Sequence, residues 1–204
     1  MLLEKAGGTR RQFFFSRKTD TQALLVEFET ETPFAVLVFR GTEQHIQDFA
    51  TDLAVGRLRH HDGKIDTHAG FARALDSIWE DLERALKRLS RPVFYTGHSL
   101  GAALATLAAD RIAPTALYTF GSPRVGDDEF VASLNAKLGS IHRVVHGDDI
   151  VTTLPPEALG FRHAGKLQTL AAPASRGWLG WLPDWIHPPK PLSDHAPINY
   201  VDKT

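Results

Sequence analysis

The 204-residue chain contains no cysteine. That excludes disulfides, a thiolate nucleophile and any cysteine-ligated metal site. It permits a reducing compartment without requiring one. No run approaches the roughly 20 apolar residues of a membrane-spanning helix. The opening stretch, Met1 to Gly8, is too short and too interrupted for a signal peptide, so a secreted form would take its signal from outside this chain. Both a cytoplasmic and a secreted setting stay open. The formal net charge is −1 and no dense basic run occurs, which removes the electrostatic ground for nucleic acid as a partner. Internal repeats and low-complexity blocks are also missing.

What is present is ordinary for one globular domain over 1–204, with 43% hydrophobic and 23% charged residues. Ala23–Phe28 and Ala35–Arg40 read as strands joined by a turn at Glu29–Pro33. The second is almost wholly apolar, which predicts a central strand buried on both faces. Phe71, Ala74, Leu75, Ile78, Leu82, Leu86 and Leu89 recur at helical spacing and predict a helix over 69–90. Strands are predicted at 92–96, 116–120 and 141–145, and a helix carries Phe130, Leu134 and Leu138. This alternation predicts an α/β fold whose mostly parallel central sheet has helices on both faces.

Gly97-His98-Ser99-Leu100-Gly101 lies between the strand at 92–96 and the helix-forming run Ala102–Ala109. A serine on a sharp strand-to-helix turn is a nucleophile elbow, with its hydroxyl pushed out of the backbone. The glycines suit a turn where a side chain would collide with neighbouring backbone. The helix start adds N–H groups and positive dipole potential where an oxyanion would form.

A serine needs a base, and a histidine base needs a carboxylate to orient it. Downstream of Ser99 the chain offers both. Asp148 and Asp149 follow a strand, at the carboxyl end of the sheet where sites in open α/β sheets collect. Either could orient a histidine. His195 lies in Ser193-Asp194-His195-Ala196; His142, His163 and His187 are other downstream histidines. Asp194 adjoins His195, but sequence neighbours rarely meet in triad geometry. His98 is read as a packing residue. His60-His61-Asp62 lacks the i, i+4 spacing of helical metal ligands.

Taken in order, several motifs resemble those of the class 3 (fungal-type) lipases. Val38-Phe39-Arg40-Gly41-Thr42 is similar to the family's oxyanion strand and loop, and Thr67–Phe71 to its His-x-Gly-Phe helix entry. The elbow, Thr119–Gly126, Asp149-Ile150-Val151 with Leu154-Pro155-Pro156, and Asp194-His195 followed by Tyr200 complete the series. The resemblance implies an α/β-hydrolase fold and carboxylic ester hydrolysis without metal or cofactor. It picks Asp149 over Asp148 and His195 as the base, giving Ser99, Asp149 and His195 as the triad. It also implies an oxyanion hole of the Leu100 N–H and Thr42. Thr152 stands where the family often has proline.

Two segments are expected to choose the substrate. Ile46, Phe49, Ala50 and Leu53 fall on one helical face within 43–53, where the family carries a lid; an ordinary surface helix has the same pattern. The Trp- and Pro-rich 171–193 places Trp178, Trp181 and Trp185 shortly before His195, as a flap lining an acyl pocket or as a packed loop. Ile46, Phe49 and these tryptophans are thus the candidate substrate contacts. The expected function is a triacylglycerol lipase or esterase with an acyl-enzyme, acting on a lipid or small ester and touching lipid interfaces transiently. A phospholipase, a feruloyl-type or short-chain esterase, and a non-catalytic hydrolase-like module are the alternatives.

Overall fold

The computed structural model describes residues 2–5, 7–41, 58–61, 65–170 and 194–201. Thr42, the predicted lid at 43–53 with Ile46 and Phe49, and the Trp-rich 171–193 with Trp178, Trp181 and Trp185 lie outside them, as do Asp62 and His187.

A short helix α1 (Leu2–Lys5) precedes three antiparallel strands, β1 (Gly8–Ser16), β2 (Thr21–Phe28) and β3 (Phe34–Phe39). A two-stranded ribbon, β4 (Leu58–His61) and β5 (Ile65–His68), leads into α2 (Ala69–Leu86). Then come β6 (Val93–His98), α3 (Leu100–Arg111), β7 (Ala116–Phe120), α4 (Asp128–Lys137), β8 (Ile141–His146) and β9 (Lys166–Leu170). Helix α5 (Ile198–Val201) is a single turn. The main sheet has seven strands in the order β1-β2-β3-β6-β7-β8-β9, parallel from β3 onward.

Strand alternation sorts the side chains. Ala23, Leu25, Ala35, Leu37, Phe39, Tyr95, Leu117 and Ile141 point to one face and share a core with Phe71, Leu75, Ile78 and Leu82 of α2 and with Phe130 and Leu134 of α4. Helix α3 is the centre of that layer. Its residues Gly101 to Ala109 are all buried, which a run of alanines, leucines and small residues allows. Asp127 caps α4 by accepting from the Phe130 N–H at 2.8 Å.

The described long helices gather on one face of this mostly parallel sheet. The strand order moves in one direction from β3 through β8. Right-handed crossovers that keep moving one way all fall on one side of the sheet. So α2, α3 and α4 share one face, and α5 packs on the other beside β8, its Tyr200 ring against His146. For the same reason β3 is not buried on both faces: Ala35, Leu37 and Phe39 are, whereas Val38 is 37% exposed.

One half-buried histidine sits outside this apolar layer. The His163 ring donates from Nε2 to the Thr152 carbonyl at 2.7 Å. Burial first, and the positive field of Arg143 second, push its pKa down from 6.5 to about 4. The folded state keeps the ring neutral while the unfolded chain protonates near 6.5, so acid favours unfolding. Stability is expected to be complete above that pH and to fall by roughly 3 kcal/mol on this account as pH drops towards 4. His163→Gln, which keeps a donor, should flatten the slope of unfolding free energy against pH across that window. Denaturant titrations also test the one-sided core. Leu104→Ala should cost about 2–5 kcal/mol and Val38→Thr under about 1 kcal/mol; equal costs would contradict it.

Candidate active site

Ser99 occupies the junction of β6 and α3 with φ 57° and ψ −125°, a conformation that non-glycine residues rarely adopt. Its N–H donates to the Phe120 carbonyl at 3.0 Å, and its own carbonyl accepts from Ala102 N at 3.0 Å and Ala103 N at 3.3 Å. Both peptide groups are thereby fixed. The flanking glycines let the turn close: a Cβ on Gly101 would lie 2.2 Å from the Phe39 carbonyl oxygen, and one on Gly97 would lie 2.3 Å from the Gly101 carbonyl. The side chain of Ser99 stands beside the start of α3, whose first N–H groups, including that of Leu100, have no carbonyl in the preceding turn to bond. These donors and the helix dipole favour negative charge there.

Asp149 leaves the carboxyl end of β8 and caps the turn Ile150–Thr153, its Oδ1 accepting from Val151 N at 2.9 Å. The structure brings it to His195. The ring Nδ1 lies 2.9 Å from Oδ1 and 2.8 Å from Oδ2. A carboxylate only accepts, so Nδ1 carries the proton and the lone pair of the neutral ring is on Nε2. That Nε2 is buried and has no hydrogen-bond partner. Ser99, Asp149 and His195 are 2%, 1% and 1% exposed. The Asp149–His195 contact is formed, whereas Ser99 Oγ makes no hydrogen bond to Nε2; such bonds often tighten only with substrate.

Neighbouring groups hold this pair. The Tyr200 hydroxyl donates to Asp149 Oδ2 and accepts the His146 N–H at 3.2 Å. Burial, reinforced by the Asp149 charge, raises the phenol pKa and keeps it a donor. His98 Nε2 donates to the His195 carbonyl at 2.9 Å, and the two rings pack with centroids 4.6 Å apart. Burial, then the neighbouring His195, push His98 down to about 4, so it remains neutral beside that ring. Gly121, at φ +55°, forms the floor: a Cβ there would lie 2.8 Å from Asp149 Oδ2 and 3.1 Å from His195 Cε1.

The loops are pinned from two sides. Arg124 donates to the carbonyls of Thr153 and Pro155 and to Glu157 Oε1, tying the segment after Asp149 to that after β7. Asp194 Oδ2 accepts the Asp148 N–H at 2.9 Å, joining the histidine loop to the aspartate loop. Asp148 is exposed while Asp149 is buried, and Asp194 is a loop clamp. His142 stacks on Tyr118 and His68 packs against Phe71, both as structural rings. Tyr200, His98 and Arg124 carry more of the site than sequence reasoning assigned them. The only early signal for Tyr200 was its place five residues after His195.

Comparison with known proteins agrees with this architecture. The family model described as Lipase (class 3) matches residues 36–159. A secreted mono- and diacylglycerol lipase of Fusarium solani is 42% identical over 105 residues, covering 47% of this chain and 32% of its own. The mono- and diacylglycerol lipase structure from Aspergillus oryzae aligns with TM-score 0.73 at 28% identity, over 84% of this chain and 66% of that one. A triacylglycerol lipase whose catalytic centre is formed by a serine protease triad aligns with TM-score 0.69 at 29% identity, over 78% and 64%. The chain thus spans about a third of the Fusarium relative and just under two thirds of each solved chain. The family match extends from β3 through the elbow to the loop after Asp149: the chain belongs to the class 3 lipase family and has an α/β-hydrolase fold.

Proposed function

We propose that the protein is a serine carboxylic-ester hydrolase acting on acylglycerols, with Ser99, Asp149 and His195 as its triad. The observation that carries this reading is the His195 ring held through Nδ1 by Asp149, its unpartnered Nε2 buried at a site shared with a strained serine. In the reaction Ser99 Oγ attacks the ester carbonyl carbon while His195 Nε2 takes its proton. Asp149 stabilises the imidazolium. The Leu100 N–H and Thr42 receive the oxyanion, each such donor being worth about 3 kcal/mol. Collapse breaks the ester C–O bond, and the alcohol leaves with the proton from Nε2. Water, deprotonated by the same nitrogen, then releases the acid.

The names of the relatives support glycerol esters as the substrate class: mono- and diacylglycerols for one, triacylglycerols for another. The Fusarium relative is secreted by name, which supports an extracellular place of work.

A fluorophosphonate probe is expected to label the wild type and not Ser99→Ala; folded wild type that fails to label would sink the reading. Asp149→Asn should lower kcat by about 10⁴-fold, because the amide favours the wrong histidine tautomer. Tyr200→Phe leaves the buried His146 N–H without its acceptor. It should cost roughly 1–3 kcal/mol of stability and lower kcat about tenfold through looser positioning of Asp149, with KM unchanged. Initial rates on p-nitrophenyl esters of rising chain length measure all three variants and test the substrate class.

A further inference from the structure

Strand β1 has an unusual outer edge. Residues 9–19 carry Arg10, Arg11, Arg17 and Lys18 and no carboxylate, in a chain of net charge −1. Between these cations, Phe13 and Phe15 are 61% and 48% exposed, their rings stacked with centroids 6.3 Å apart. The registers Phe13↔Leu24 and Leu24↔Val38 put them on the sheet face opposite α2 and α3. A groove of about 480 Å³ continues inward from Phe13 along Leu24, Val26, Val36 and Val38. Arg11 pairs with Glu4 at 3.1 Å. Among the described residues Arg10, Arg17 and Lys18 form no ion pair. The nearby carboxylates are engaged: Glu27 and Glu29 with Arg91, and Asp20 with the Gln22 amide.

The sheet fixes where this edge lies. β3 runs parallel to β6, β2 runs against β3, and β1 runs against β2. The carboxyl end of β1, with Phe15 and the turn bearing Arg17 and Lys18, is therefore at the same end of the sheet as Ser99. Three strand spacings separate β1 from β6, about 14 Å.

We propose that the β1 edge is a binding surface for anionic phospholipid membranes, with Phe13 and Phe15 among the acyl chains and Arg17 and Lys18 on the phosphates. Exposed aromatics between cations match the layering of such an interface, apolar beneath and anionic above. A second copy pairing edge to edge would set four cations against four, which opposes self-association through this strand. Seated this way, the membrane faces the Ser99 end of the sheet. This use of the surface rests on the ester hydrolase reading, although binding itself needs no turnover.

Co-sedimentation of the full chain carrying Ser99→Ala tests it, with vesicles of phosphatidylcholine alone or mixed with phosphatidylglycerol. Binding is expected to require phosphatidylglycerol and to fall with salt. Arg17→Gln/Lys18→Gln should weaken it by about tenfold or more, and Phe13→Ser/Phe15→Ser should also weaken it. In the active protein both double variants should keep wild-type rates on a soluble short-chain ester, which verifies their folding. The proposal is overturned by absent binding, by binding that the variants leave unchanged, or by a doubled mass in light scattering that Phe13→Ser/Phe15→Ser abolishes. If wild type binds vesicles but hydrolyses no ester, the surface stands and the enzymatic reading falls.

Discussion

Everything in the site depends on one backbone contact, the close approach of Gly101 to the Phe39 carbonyl. It lets α3 start directly against the end of β3 and so forces the sharp turn at Ser99. A residue at φ 57° costs on the order of 1–3 kcal/mol. Helix α3 offsets this without difficulty. Fully burying a single leucine such as Leu104 is worth about 1.5–3 kcal/mol, and the helix is buried from Gly101 to Ala109. The strain is thus imposed by packing that would cost more to undo than the turn costs to keep. The hydrogen bonds from Ser99 N to Phe120 and from Ala102 N to Ser99 then remove the remaining freedom.

The acid side of the site is built differently, by saturation. Asp149 accepts from Val151 N, His195 Nδ1 and the Tyr200 hydroxyl, which holds both its oxygens in fixed directions. Tyr200 in turn accepts from His146 N, so its proton can only point at the carboxylate. Arg124 holds the next stretch of chain by its carbonyls, a form of restraint that does not depend on which side chains lie there. Thr152 adds a local tie of its own, its hydroxyl donating to the Asp149 carbonyl at 2.7 Å.

The sequence made the ordered chemistry legible because motifs such as the elbow need particular residues at short range. Strands β2, β3, β6, β7 and β8 and helices α2 to α4 were legible through periodicity. The misreading of β3 has a physical cause. Apolar continuity in β3 was read as two-sided burial, but it records two different environments: a helix-covered face and the face with Val38. Nothing in one strand's sequence reports the strand order that puts successive crossovers on one side. Strand β1 escaped notice because three consecutive phenylalanines hide the alternation in which Phe14 is buried and its two neighbours are exposed. The choice between Asp148 and Asp149 rested on likeness alone, since burial, the physical difference between them, arises only once β8 ends one residue before Gly147.

The two faces divide the labour of the site. Helices on one face form the core and impose the turn at Ser99. The opposite face, at its carboxyl end, presents His98, Phe120 and His146, and on these the ring of Tyr200 packs at 5.3, 6.2 and 6.0 Å. The segment from Asp194 to Val201 therefore does for this face locally what α2 and α3 do for the other. It also carries His195. Docking of that segment and positioning of His195 are one event: the contacts that seat Tyr200 also set Nδ1 against Asp149. A chain in which this segment failed to dock would keep its helix-side core and its strained serine while losing the His195–Asp149 contact.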